Sequence, residues 1–326
     1  MTVDNTSVGS GGTRVGDPGL GGSNSIDAIR EDDILDAPPT GAVPTAPRGR
    51  KVDSVWKLYF RKPGTIAFLI VLAVVAIASF IGPYFAGNPV ATVNPTLLPP
   101  SFEFPMGTDQ LGRDYLPRVL LGGQVSLLVG FTVALLCMTL GLIIGGLAGF
   151  YGGLADAFLV KVAEFFQVLP GIVLALVAAA LFGANIWVIV IILSVTMWPA
   201  VARIVRAEAL RISQLGYVES ARAAGFHSTR ILWSDVIPNA MPPVIVATTM
   251  TVGRAILIES ALAFLGIGDA EQPSWGALLN SAQSYMATGW WLALFPGLCI
   301  FLVVLAINML GDSLNDALNP SIGKVK

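Results

Sequence analysis

The residues with chemistry to offer are few in this sequence, and most of them gather in one stretch, Tyr217 to Pro243, YVESARAAGFHSTRILWSDVIPNAMPP. Of its charged side chains, Glu219, Arg222, Arg230 and Asp235, the first two are interleaved with small residues, Ser220, Ala221, Ala223, Ala224 and Gly225. Small residues let a second surface approach closely and the charges around them can pair with it, so the pattern suits docking more than bond-making. The single histidine, His227, lies in the same stretch without a carboxylate or cysteine cluster, and Cys137 and Cys299 stand apart in apolar segments. Neither a metal-ligand spacing nor a disulfide framework results, and both cysteines read as packing residues. No HExxH, GxSxG or paired-aspartate motif falls in an apolar segment, and no GxxxxGK[ST] phosphate loop occurs. The chain therefore reads as a non-catalytic one that binds no cofactor directly. If its work is ATP-driven, ATP and Mg belong to partner chains.

The elements that must position this stretch are apolar. Mean hydropathy is +0.73, with 54% of residues hydrophobic and 12% charged, about half the charged share of a soluble domain. The expected fold class is an all-α polytopic membrane protein, with the lipid bilayer as its surroundings. A net charge of −2 carries no basic excess, so nucleic acid is not an expected partner. Apolar stretches run at about 63–85, 125–150, 158–182, 186–205, 243–263 and 291–310. Each exceeds the roughly ten residues of a barrel strand and reaches the ~20 that a membrane helix needs, so six transmembrane helices are expected. Lys and Arg then set the sidedness. Lys57, Arg61, Lys62, Lys161, Arg203, Arg206, Arg211, Arg222, Arg230, Lys324 and Lys326 all fall on one side, leaving Arg113 and Arg118 on the other. Both termini and the 217–243 stretch are expected in the cytoplasm.

The expected organisation has four parts. Residues 1–54, rich in Gly, Ser, Pro and Asp, form a disordered cytoplasmic tail without the apolar core of a signal peptide. Residues 55–124 hold the first span and an external loop, 125–320 a five-helix core with its docking helix near 217–231, and 321–326 a cytoplasmic end. In the external loop, Gly107, Gly112 and the Asp109, Arg113, Asp114 cluster predict a turn followed by a short amphipathic helix at the membrane surface. Glycines four apart, Gly141, Gly145, Gly149 and Gly153, form a ridge that lets a neighbouring helix come close. Pro170 and Pro199 should bend the third and fourth spans. Arg254 and Glu259 are the ionisable residues well inside a span and are candidates for the translocation pathway or an intramembrane charge role. Their spacing puts them roughly 140° apart on a helix, so they should meet different partners. Glu259 could equally lie near the external end and reach the interface. The last external loop carries an amphipathic run, Trp275 to Met286, with Trp275, Trp290 and Trp291 marking the headgroup level. Asp109, Arg113, Asp114 and Trp275 are the candidates for contact with an external partner.

With its sidedness fixed, the 217–243 stretch resembles the signature of permeases in binding-protein-dependent ABC importers. Glu219-Ser220-Ala221, then Gly225, then Pro238 follow the pattern E-A-A-x3-G-x9-I-x-L-P, with Ser220 in place of Ala and with Asp235 and Ile237 where Ile and Leu are expected. The segments GTDQLGRDYLPRVLLGGQVSLLVG, GFYGGLAD, ESALAFLG, PSWG, WLALFPGLCIFL and NMLGDSLNDALNP resemble, in order, the C-type subunit of dipeptide, oligopeptide and nickel importers over about residues 60–320. The resemblance implies a type I importer permease in a bacterial or archaeal plasma membrane. It also implies a coupling helix, Glu219, Ser220, Ala221, Arg222, Ala224 and Gly225, seated in a groove of a cytosolic ATPase. The implied partners are a homologous second permease, two ATPase subunits or domains, and an extracytoplasmic substrate-binding protein. An ion-gradient-driven transporter or channel is the alternative; it would be expected to bury several carboxylates or histidines, and here only Arg254 and Glu259 are available.

Overall fold

A computed structural model describes residues 59–60, 62–269 and 271–318. The readings of the 1–54 tail, Lys57, Arg61 and the 321–326 end fall outside the described residues. Among the described residues the only β pairing is an isolated bridge, Thr108 to Asp114, and the regular elements are helices. In chain order these are α1 (Pro63–Ile81), α2 (Tyr115–Tyr151), α3 (Gly153–Val168), α4 (Gly171–Phe182), α5 (Ile186–Ser213), α6 (Gly216–Ala223), the single turn α7 (Ser228–Ile231), α8 (Ile237–Phe264), α9 (Trp275–Ala282) and α10 (Trp291–Leu318).

The long helices start where the sequence supplies a cap. Asp114 accepts a hydrogen bond from the Leu116 amide at 3.0 Å, and Asn185 accepts one from Trp187 at 2.8 Å, each satisfying a donor that the first turn would leave open. Pro63 opens α1, where its missing N–H has no partner to lose. Between α2 and α3 the chain turns at Gly152 and Gly153, at φ +64 and +60, a region costly for residues with a Cβ.

Among the described residues, five segments are long and apolar enough to cross a bilayer: Pro63–Tyr84, Tyr115–Tyr151, Ile186–Ser213, Ser228–Phe264 and Trp291–Leu318. The expected third span is not one straight helix. α3 and α4 meet at a 77° bend, and only the pair taken together brings the count to six. The break has a local cause, because Pro170 disfavours helical backbone at the preceding Leu169, which is extended. At 12 residues, α4 reaches about 18 Å, short of the ~30 Å hydrocarbon core. Pro199, by contrast, lies inside α5 without ending it.

Other boundaries move as well. The predicted surface helix before the second span is absent as a separate element: α2 begins at Tyr115 and runs 37 residues without interruption. The 124/125 division therefore falls inside a helix. α5 continues past Val205 to Ser213, carrying Arg203, Arg206 and Arg211 within a helix instead of a loop. Lys161 likewise sits in α3, paired with Glu164 at 2.7 Å. α8 begins before Pro243, with Pro242 and Pro243 inside it, so these prolines do not mark the start of the span.

The glycine ridge is a packing seam. A Cβ on Gly141 would meet Val201 at 2.9 Å and one on Gly149 would meet Ala209 at 2.9 Å, while Gly145 lies against the Ala202 carbonyl. α2 and α5 therefore touch nearly backbone to backbone. Gly153 is not part of the seam, since nothing lies within 4 Å of a Cβ there. Asp156 and Arg206 pin α3 to α5 with two hydrogen bonds of 2.5 and 2.6 Å.

Candidate partner-docking surface

α6 is held to the bundle by one side. Val218 is fully buried in a cluster with Ile212, Ile231 and Leu232, and Ala221 packs against its edge. The rest of the helix faces outward: Gly216, Tyr217, Glu219, Ser220, Arg222 and Ala223 are exposed, as is the following run from Ala224 to Arg230. The helix ends in a Schellman motif. Gly225 takes φ +79, its amide donates to the Arg222 carbonyl at 3.0 Å, and the Phe226 amide donates to Ala221 at 3.2 Å. Nothing lies within 4 Å of a Cβ built on Gly225, so the turn requires glycine for its backbone and leaves open space around it.

The two arginines of this surface are oriented by aromatic rings. Arg222 lies 5.1 Å over Phe150 at the end of α2, and Arg230 lies 4.6 Å over Phe226. Both remain exposed, as does Tyr217. Partial burial and the nearby Asp235 push the Tyr217 hydroxyl above its ordinary pKa. Among the described residues Glu219 enters no ion pair. A five-residue π-helical segment, Leu232–Val236, then joins α7 to α8. Pro238 follows in the first turn of α8, where its missing N–H is tolerated.

At the opposite end, the external-loop candidates are spent on the chain's own fold. Asp109 is 1% exposed. Its Oδ1 accepts from the Leu111 and Arg113 amides at 2.8 and 3.0 Å, and its Oδ2 pairs with Arg113 Nε at 2.6 Å. Asp114 caps α2, and burial pushes its carboxyl above the ordinary value. Trp275 is 1% exposed, its Nε1–H donating to the Val119 carbonyl at 2.9 Å. The expectation that Trp275 and Trp291 mark the headgroup level is corrected: both are core residues, and of that trio Trp290 is exposed. Asp109 and Trp275 offer no surface for a partner in this conformation, because Asp109 is closed over by its own loop and Trp275 is packed against α2.

The two intramembrane charges point apart, as the spacing requires. Arg254 is exposed on α8, and Glu259 is 2% exposed. Glu259 does not reach an interface. Its Oε2 accepts from Ser126 at 3.2 Å and Ser260 at 3.4 Å, and Ser126 in turn accepts from the Trp275 amide at 3.3 Å, joining α2, α8 and α9. The part played by Ser126 was not singled out from the sequence, where nothing distinguishes it from the other hydroxyls of the spans.

Among the described residues, long apolar helices bundled together with a small helix at one end make the architecture of a multi-pass membrane protein. The profile of the family described as "Binding-protein-dependent transport system inner membrane component" matches residues 141–324, and the chain belongs to that family. It is 36% identical to the glutathione transport system permease protein GsiD of Pectobacterium atrosepticum, over 84% of this chain and 94% of that one. It is also 36% identical to the dipeptide transport system permease protein DppC of Bacillus subtilis, over 82% and 85%. The identity is 34% to the di/tripeptide transport system permease protein DppC of Pseudomonas aeruginosa, over 82% and 91%. Among solved structures, the inward-facing MetNI methionine ABC transporter aligns with a TM-score of 0.52 at 20% identity, covering 61% of this chain and 96% of that one, a likeness of fold. The chain is thus an importer permease by family, and the secondary-transporter alternative falls away.

Proposed function

We propose that this chain is the C-type permease subunit of an ATP-driven importer for peptides or peptide-sized solutes, and that α6 is the helix by which a separate ATPase moves it. The carrying observation is α6 itself: a short helix seated on the single buried pivot Val218, with Glu219, Ser220, Arg222, Ala224 and Gly225 exposed. A helix with one apolar anchor and an outward polar face can transmit a push without unfolding, because its pivot is continuous with the cluster that carries Ile237 and Ala240 of α8. The relatives named for dipeptide, di/tripeptide and glutathione transport support a peptide-like solute.

In this reading the complex contains a homologous second permease, two ATPases and an extracytoplasmic binding protein, with ATP and Mg on the ATPases. α6, the start of α1 and the end of α10 face the cytoplasm. Lys62 and Asp316 form an ion pair at 2.6 Å, putting the start of α1 and the end of α10 together. Gly253 of α8 lies near Ile307 and Asn308 of α10, and Gly311 near Met250, so α10 runs antiparallel to α8 and its C-terminal end points toward the α6 end. That arrangement supports the same sidedness that the basic residues suggest. Arg254, exposed at mid-helix, faces the pathway or the second permease, since lipid would penalise an unpaired guanidinium there. The test is Gly225→Trp in the assembled transporter. The variant inserts normally and loses ATP-dependent peptide uptake; normal uptake would refute the docking role.

A further inference from the structure

α8 is 28 residues long, so its two ends are about 42 Å apart, and a cavity of about 440 Å³ opens at the end opposite α6. That volume is within the roughly 300–1,000 Å³ range of small-molecule sites. Arg113 and Arg118 line it from the first long loop and the start of α2, and Asp269 and Glu271 line it from the loop between α8 and α9. The two sets carry opposite charge, yet among the described residues no ion pair joins them. Arg118 has donor capacity to spare. Its side chain is 13% exposed, and its Nε lies 3.5 Å from Asp109 Oδ2, close enough for attraction, yet buried without a hydrogen-bond acceptor. Asp109 is already committed to Arg113 and two amides. Across the cavity, Asp269 uses Oδ1 to hold its own turn, accepting from the Glu271 amide at 2.9 Å, and Glu271 is exposed. Asn280 and Ser281 of α9 add neutral polar groups to the wall.

We infer that this cavity binds a small zwitterionic solute, its carboxylate taken by Arg113 and Arg118 and its ammonium by Asp269 and Glu271. A guanidinium pair recognises a carboxylate with charge-assisted hydrogen bonds, and an ammonium answers a carboxylate pair in the same way. Two sets of opposite sign that face one cavity without pairing with each other, the arginines answered only by the already committed Asp109, are complementary to a molecule that carries both charges. A purely anionic or purely cationic ligand would be matched by one wall only. The inference rests on the transport reading only for why a solute arrives here; the binding itself belongs to this chain.

The experiment titrates the full chain in lipid nanodiscs, without ATPases, with alanyl-alanine, N-acetyl-alanyl-alanine and alanyl-alanine amide, using calorimetry. The zwitterion saturates the site, and each capped peptide binds about tenfold more weakly, the scale of one lost charge-assisted contact. Glu271→Gln weakens the zwitterion by about the same factor and leaves the N-acetyl peptide unchanged. Arg118→Gln does the converse, sparing the amide. Should Arg118→Gln fail to fold, Glu271→Gln carries the test, since that side chain is exposed and the turn is held by the Glu271 backbone amide on Asp269, which the substitution keeps. Absence of saturable zwitterion binding at millimolar concentration overturns the inference, as does equal binding of all three peptides or unchanged zwitterion binding by Glu271→Gln. Those failures leave the coupling role of α6 untouched, and a failure of coupling leaves the titration standing.

Discussion

The two ends of the bundle use the same residue types in opposite ways. At one end Asp109, Arg113, Trp275 and Trp291 are turned inward: the carboxylate is closed over by two amides and a guanidinium, and both indoles donate to backbone carbonyls, Trp275 to Val119 and Trp291 to Thr108. At the other, Glu219, Arg222, Arg230, Tyr217 and Phe226 are turned outward around one buried valine. Polar and aromatic groups that fold a loop are satisfied within the chain, and those that serve a partner are left open to it. Residue type and position in a loop do not distinguish the two; burial and hydrogen bonding do.

That contrast can be broken by substitution, starting from the largest expected effect. Trp275→Ala removes a fully buried indole that packs against Gly122 and Gly123, and should cost about 3–5 kcal/mol, read as a collapse in the melting temperature of the solubilised protein. A Trp275→Ala variant that melts normally would undo the claim that the outer end is self-contained. Asp109→Asn weakens the buried pair and leaves Arg113 and Arg118 without a counter-charge, an expected loss of about 3 kcal/mol. Gly225→Ala puts a Cβ at φ +79 where there is room but not a relaxed backbone, and should cost about 1 kcal/mol with the bundle intact. Glu219→Gln should change stability by less than about 0.5 kcal/mol, while lowering ATP-dependent uptake. If Glu219→Gln destabilised the chain as much as Asp109→Asn, the two ends would no longer differ in kind.

Much of this was legible in the sequence, and the gaps have physical causes. Apolar length marks membrane helices because lipid cannot solvate an open backbone, so the spans and the 217–243 stretch between them stand out directly. The four-residue glycine spacing marked a close-packing ridge without saying that α5 is the neighbour, and Gly153, at a positive-φ turn, belongs to the connection and not to the seam. Hydropathy does not register geometry, so the 77° bend at Pro170 was readable only as a kink. The outer loop was misread most. Asp109 bonds to nearby Leu111 and Arg113 and only its burial went unread, whereas Trp275 looks like a surface residue because its partner lies far off in sequence, the indole meeting Val119. Glu259 shows the same limit, since its partner Ser126 is 133 positions away.

The central claim is that α6 is the surface an ATPase grips. The most direct measurement places a photo-cross-linking amino acid at Tyr217, 47% exposed on α6, and separately at Leu111, 52% exposed at the far end, in the complete transporter. The account predicts a covalent adduct with the ATPase from position 217 and none from position 111. An ATPase adduct from 111, or none from 217 in a complex that still hydrolyses ATP and takes up peptide, would contradict it.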